Sequence, residues 1–85
     1  MNEHQLSPVL VGRVISRARR SKGVTQEVLS GLADISRTHL SAIERGKRKP
    51  TLETFWRISF ALDLRPHELL RRIESETDSR RSALR

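Results

Sequence analysis

The stretch TQEVLSGLADISRTHLSAIERG, Thr25–Gly46, decides the fold. It reads as one helix, a tight turn and a second helix, with the basic loop Lys47-Arg48-Lys49-Pro50 directly after it. Val28, Leu29, Leu32 and Ala33 give the first helix an apolar side, and Leu40 and Ile43 give the second an inward line. Thr25 and Ser36 stand where caps are needed, because a hydroxyl there accepts from a free first-turn amide. Asp34 falls in the turn and is one of the few non-glycine residues that accept a left-handed conformation. Ile35 is expected to plug that turn into the core. Gly31 either lets another backbone approach or is simply tolerated, at ~1 kcal/mol relative to alanine. Two helices this short cannot each bury an apolar face, so the rest of the chain must supply the core. At about 100° per residue, Thr38, Ser41, Ala42 and Arg45 point away from Leu40 and Ile43, and Arg37 projects from the first turn. That outer face is polar and unobstructed.

Working outward, residues 1–8 are expected to be flexible up to Ser7-Pro8, a natural helix start. Val11, Val14, Ile15 and Ala18 then recur at helical spacing until Gly23, which suits a left-handed C-terminal position. On the other side, Thr51 caps a fourth helix with Leu52, Phe55, Ile58, Ala61 and Leu62 inward, while Trp56 and Phe60 form a second row. Pro66 opens a fifth helix through about Ile73, with Leu69, Leu70 and Ile73 apolar; Arg65 before it is a poor cap. The tail at 75–85, SETDSRRSALR, is polar and expected to be disordered. The fold class is therefore all-α, a compact five-helix domain over 9–74 with its helix-turn-helix motif at 26–45.

Eighty-five residues make one domain with a single modest core. A formal charge of +7 argues for a polyanionic partner, nucleic acid before anionic membrane. The absence of cysteine excludes disulfides and thiolate metal sites. No apolar run approaches the roughly 20 residues that span a bilayer, and the N-terminus lacks a secretory pattern; a cytoplasmic location is expected. His4, His39 and His67 are scattered, no carboxylate pair or serine is placed for catalysis, and no glycine-rich phosphate loop occurs. No enzyme activity, metal or cofactor is expected. His39 flanks the second motif helix as a packing or phosphate-proximal residue.

The ordered residues resemble the helix-turn-helix domain of the phage-repressor and Cro type, the XRE family. The resemblance rests on Gly12, Ile15 and Arg19, then Thr25-Gln26-Glu27 and Leu29, then Ile35-Ser36-Arg37 and Leu40. It continues through Ile43-Glu44-Arg45-Gly46, Pro50, Leu52, Ile58 and Leu62, and covers roughly Val11–Leu70. Ser30, where the family usually has alanine, and Asp34, where it often has glycine, depart from the pattern without threatening the fold. The resemblance implies a lambda-repressor-like domain whose third helix enters the major groove of double-stranded DNA. Arg37 is then the first candidate for base reading, since a guanidinium can bond both O6 and N7 of guanine. Thr38, Ser41 and Ala42 lie beside it. Gln26, at a helix N-terminus, would contact a phosphate, and Arg45, Lys47, Arg48 and Lys49 would track the backbone. Arg19 and Glu44 would form a largely buried ion pair between the first and third helices.

Such domains usually bind palindromic half-sites as two-fold dimers. Trp56, Phe60, Leu64, Leu70 and Ile73 either form an isologous homodimer patch or thicken a thin core. The leading expectation is a sequence-specific transcriptional regulator: a prophage or plasmid repressor, a restriction–modification controller, or an autoregulating antitoxin. The alternative is a protein-interaction module, a toxin-neutralising partner or coactivator, that uses this fold without reading DNA. An RNA-binding role is weaker, for want of stacking aromatics.

Overall fold

A computed structural model describes residues 5–83, with side chains as far as Arg80. Five helices follow in order: α1 Pro8–Lys22, α2 Gln26–Leu32, α3 Arg37–Glu44, α4 Leu52–Ala61 and α5 Pro66–Ala83. There is no strand among the described residues. Four helices start on a hydroxyl: Ser7, Thr25, Ser36 and Thr51 accept from Leu10, Val28, His39 and Thr54 N–H in turn. The fifth start lacks a hydroxyl, as Arg65 implied, and is tied instead by the Glu68 side chain, which accepts from Arg65 N–H at 2.8 Å. That is the reciprocal half of a capping box.

The turn between α2 and α3 forms as its residues dictate. Asp34 takes a φ of 56°, Ile35 packs half-buried on the core, and its N–H reaches Ser30 O at 3.0 Å. The core itself is Val11, Val14, Ile15 and Ala18 of α1, Leu29 and Ala33, Leu40 and Ile43, Phe55, Ile58 and Leu62, and Leu69 and Ile73 of α5.

Glycine decides how α1 meets α3. A Cβ at Gly12 would lie 2.3 Å from the Ile43 carbonyl oxygen and 2.7 Å from that of Glu44, so α1 rests directly on the α3 C-terminus. Gly46 ends α3 with a φ of 75°, and a Cβ there would come within 2.9 Å of Val9 Cα. Gly31, by contrast, faces open space, so of its two readings toleration holds.

Several expected placements change. Leu52 is 81% exposed: steps of three residues drift by about 60° around a helix, which carries it out of the Phe55–Ile58–Leu62 face. Val28 and Leu32 are likewise exposed, leaving Leu29 and Ala33 as the inner side of α2. Of the two readings open to Ile73 the core one holds: it is only 2% exposed, one turn after the buried Leu69. Helix α5 does not stop near Ile73. It contains no glycine or proline after Pro66, and Arg17 ties it to α1 through Glu76 at 3.4 Å, so residues 75–83 are helical rather than a loose tail. Residues 84–85, and residues 1–4 of the segment expected to be flexible, lie outside the described residues; Ser7 and Pro8 are fixed as cap and first turn.

Gly12→Ala should destabilise the fold by about 1–3 kcal/mol or more, since backbone cannot yield as a side chain does. Gly31→Ala should stabilise it by roughly 0.5–1 kcal/mol. Urea unfolding of both variants checks the pair; equal effects would contradict this assignment of the two glycines.

Candidate nucleic-acid interface

The motif is held from behind by a three-helix brace. Arg19, near the end of α1, donates from Nε to Glu44 Oε2 at 2.7 Å and from Nη2 to Glu44 Oε1 at 3.0 Å. Its Nη1 donates to Val24 O at 3.0 Å, just ahead of α2. The two side chains are 11% and 4% exposed. The hydrogen bonds it donates to Glu44 raise the pKa of the Arg19 guanidinium above its ordinary range; burial opposes this and the charge of Glu44 assists it. A fork-to-fork pair of this kind fixes direction as well as distance. The structure thus joins the two residues expected to pair.

Gln26, the first residue of α2, is part of the same network. Its Nε2 donates to Glu44 Oε1 at 3.1 Å, a contact the sequence did not reveal. Spacing alone could not have found it, because it depends on how α2 meets the end of α3.

The outer face of α3 is open. Arg37 and Thr38 are exposed in its first turn, Ser41 and Ala42 are half-buried, and His39 is half-buried on the flank. Arg45 is exposed, with its Nε directed back to Ser41 O at 3.3 Å. Beyond Gly46, Lys47, Arg48 and Lys49 are all exposed. Lys47 N–H bonds Ala42 O at 2.9 Å, which folds the start of this basic loop against α3. Arg37, Arg45, Lys47, Arg48 and Lys49 are thus all exposed, while Glu44 turns inward to Arg19. Among the described residues no metal-binding group of His, Asp and Glu gathers, and no helix is long and apolar enough to cross a membrane.

The expected pairing residues do not act as one set. Trp56 and Phe60 are half-exposed, with ring centroids 5.6 Å apart, and Leu70 is half-exposed on α5. Leu64 packs partly buried against the core, and Ile73 lies within it. Leu52, four residues before Trp56, extends the exposed stripe on α4 and was missed by sequence reasoning.

A short helix carrying an open polar face, set on a second helix by a left-handed turn and followed by a basic loop, defines a helix-turn-helix protein. The helix-turn-helix family model matches residues 15–69, and the chain belongs to this family in its XRE type; it is a transcriptional regulator of that kind. It is 41% identical over 61 residues to the HTH-type transcriptional regulator y4dJ of Sinorhizobium fredii, covering 72% of this chain and 79% of that protein. It is 40% identical over 63 residues to the control protein C.BamHI of Bacillus amyloliquefaciens, covering 73% and 78%. Among solved structures, it superposes with a TM-score of 0.78 and 28% identity on the restriction–modification controller protein C.Esp1396I. That protein was solved as a tetramer in complex with its natural 35 base-pair operator, and the match covers 87% of this chain and 97% of that one. These relatives are regulators rather than enzymes.

Glu44→Ala should cost ~3–5 kcal/mol, because it leaves the Arg19 guanidinium buried without its counter-charge. Thermal and urea unfolding measure it; a loss under about 1 kcal/mol, the range of a surface pair, would show that the brace is not structural.

Proposed function

We propose that this regulator binds palindromic operator DNA as a homodimer, with α3 of each protomer in the major groove. The observation that carries the reading is the open face of α3. Arg37, Thr38 and the Lys47–Lys49 loop are exposed and have no side-chain partner among the described residues. A face that is polar and basic yet unpaired, on a helix fixed rigidly from behind, suits a polyanion. Arg37 reads a base, with Thr38, Ser41 and Ala42 completing the short contact surface. Lys47, Arg48 and Lys49 neutralise phosphates and set register. Arg45 joins them once it leaves Ser41 O. Gln26 adds a neutral phosphate contact from the start of α2. No cofactor is needed, and the site of action is the cytoplasm.

So few base-reading side chains per protomer make a second copy necessary for specificity. The exposed Leu52–Trp56–Phe60 stripe on α4, with Leu70 on α5, supplies an apolar surface for an isologous contact. Leu64 and Ile73 support that surface from beneath rather than meeting the partner. Of the genetic settings open to a domain of this kind, a restriction–modification controller draws support from the likeness to C.BamHI and C.Esp1396I. A protein-interaction module without DNA reading would leave the basic, unpartnered face without a role.

Selection from random duplexes should return a palindromic motif for the wild-type chain. Arg37→Ala should relax one position per half-site at a cost of ~1–3 kcal/mol. Lys47→Ala should weaken all sequences alike and lower the salt slope by about one unit. An unchanged motif with Arg37→Ala, or a sequence-dependent loss with Lys47→Ala, would contradict these roles. Phe60→Arg should give monomers in sedimentation; an undisturbed dimer would move the interface elsewhere.

A further inference from the structure

A second basic surface lies between α1 and α5, in an open groove of about 440 Å³. Val14 and Ala18, both buried, form its floor; Arg17 lines the α1 side, and Arg71 and Arg72 the α5 side. The lining holds one acid, Glu76, whose carboxylate already sits 3.4 Å from Arg17. Arg13 and Arg20 stand on the same edge of α1 as Arg17, four residues before it and three after. Like charges at that spacing repel one another. Arg13, Arg20, Arg71 and Arg72 have no side-chain hydrogen bond or ion pair among the described residues, so only Glu76 offsets the repulsion.

The groove opens away from α3. At about 100° per residue, Val14, Arg17, Ala18 and Ser21 centre on the side of α1 opposite Gly12 and Arg19, which meet α3. A duplex on the α3 face leaves the groove clear, a point that rests on the DNA-binding reading above. Being open along its length, the groove cannot enclose most of a small ligand's surface, as ligand pockets do. The run from Arg13 to Arg20 covers about 10 Å of α1, two turns of a helix laid beside it.

We infer that the α1–α5 groove docks an acidic amphipathic helix of a partner protein. Its carboxylates pair with Arg17, Arg71 and Arg72, and its apolar edge meets the Val14–Ala18 floor. A guanidinium takes a carboxylate through two parallel hydrogen bonds, and a helix laid in a groove is a recurring mode of recognition. Glu76 shows the chemistry within the chain itself, a helix-borne carboxylate drawn to Arg17. The regulator then holds DNA with α3 and a second protein across α1.

The probe is a blocked helical peptide of about 18 residues, with glutamates at i, i+4 and i+7 beside a leucine stripe. A scrambled peptide of the same composition is its control. Added to the nitrogen-15-labelled chain, free or saturated with its selected duplex, the patterned peptide should shift Arg17, Ala18, Ser21, Arg72 and Glu76 amides. Arg71→Gln with Arg72→Gln should weaken it about tenfold, the effect of losing hydrogen bonds between charged groups, and leave operator affinity and salt slope unchanged. Arg48→Gln with Lys49→Gln makes the same change in net charge and should leave peptide affinity unaltered. Circular dichroism confirms that both variants are folded.

No binding by the patterned peptide, equal binding by the scrambled one, or equal weakening by the two double variants would overturn the inference. So would release of the peptide by duplex, or a lower operator affinity and salt slope with Arg71→Gln and Arg72→Gln, which would make the groove a DNA contact. A chain that binds no duplex would overturn the DNA-binding reading alone, and the peptide's shifts in the free protein would still decide the groove.

Discussion

The Arg19–Glu44 pair is the interaction on which the motif depends. Three helix ends converge there: the last turn of α1 gives the guanidinium, the C-terminus of α3 gives the carboxylate, and the approach to α2 gives the Val24 carbonyl. An ion pair this buried contributes little net stability over an apolar equivalent, because taking two charges out of water costs nearly what their attraction returns. What it does contribute is direction. Apolar side chains would fill the same space but would let α3 rotate or slide. The close seat at Gly12 limits the remaining freedom, since backbone meets backbone with no side chain to adjust.

That rigidity explains the division of labour across the surface. The face of α3 can be polar and small because its position is set from behind, by Leu40 and Ile43 in the core and by Glu44 at its end. Its neighbours in sequence, Lys47 to Lys49, leave the helix through Gly46 and are exposed, the first of them bonded back to the Ala42 carbonyl. The apolar stripe of α4 lies on a separate element, so the proposed contact between copies and the proposed contact with DNA need not compete for the same residues. A two-fold pair of such domains would present two short reading surfaces with a spacing fixed by the α4–α5 contact.

Much of this was legible in the residues, and the exceptions have physical causes. Caps, the Asp34 turn and the α1 stripe follow from local chemistry, and local chemistry is what a sequence states most directly. The pairing of Arg19 with Glu44 came from resemblance, and the structure adds its fork geometry and the Val24 carbonyl. Leu52 was misplaced because an i, i+3 series drifts around the helix, so one apolar residue can satisfy either face until packing chooses. Ile73 was open to two readings, pairing surface or core; it is in phase with Leu69, and the α1–α5 contact shows that the core needs it. The length of α5 depended on the absence of a breaker together with the Arg17–Glu76 tie, a contact 59 residues apart in the chain. The Gln26–Glu44 bond had no sequence signal because neither residue type nor spacing requires it.

The central claim is that the α3 face and its basic loop are the DNA surface. Backbone amide shifts of the nitrogen-15-labelled protein, followed through titration with its selected duplex, test this most directly. Perturbations should concentrate on Gln26, Arg37–Ala42 and Lys47–Lys49, with the outer faces of α4 and α5 unaffected once the dimer is saturated. Perturbations confined to α4 and α5, with Arg37 and Thr38 unmoved, would contradict it.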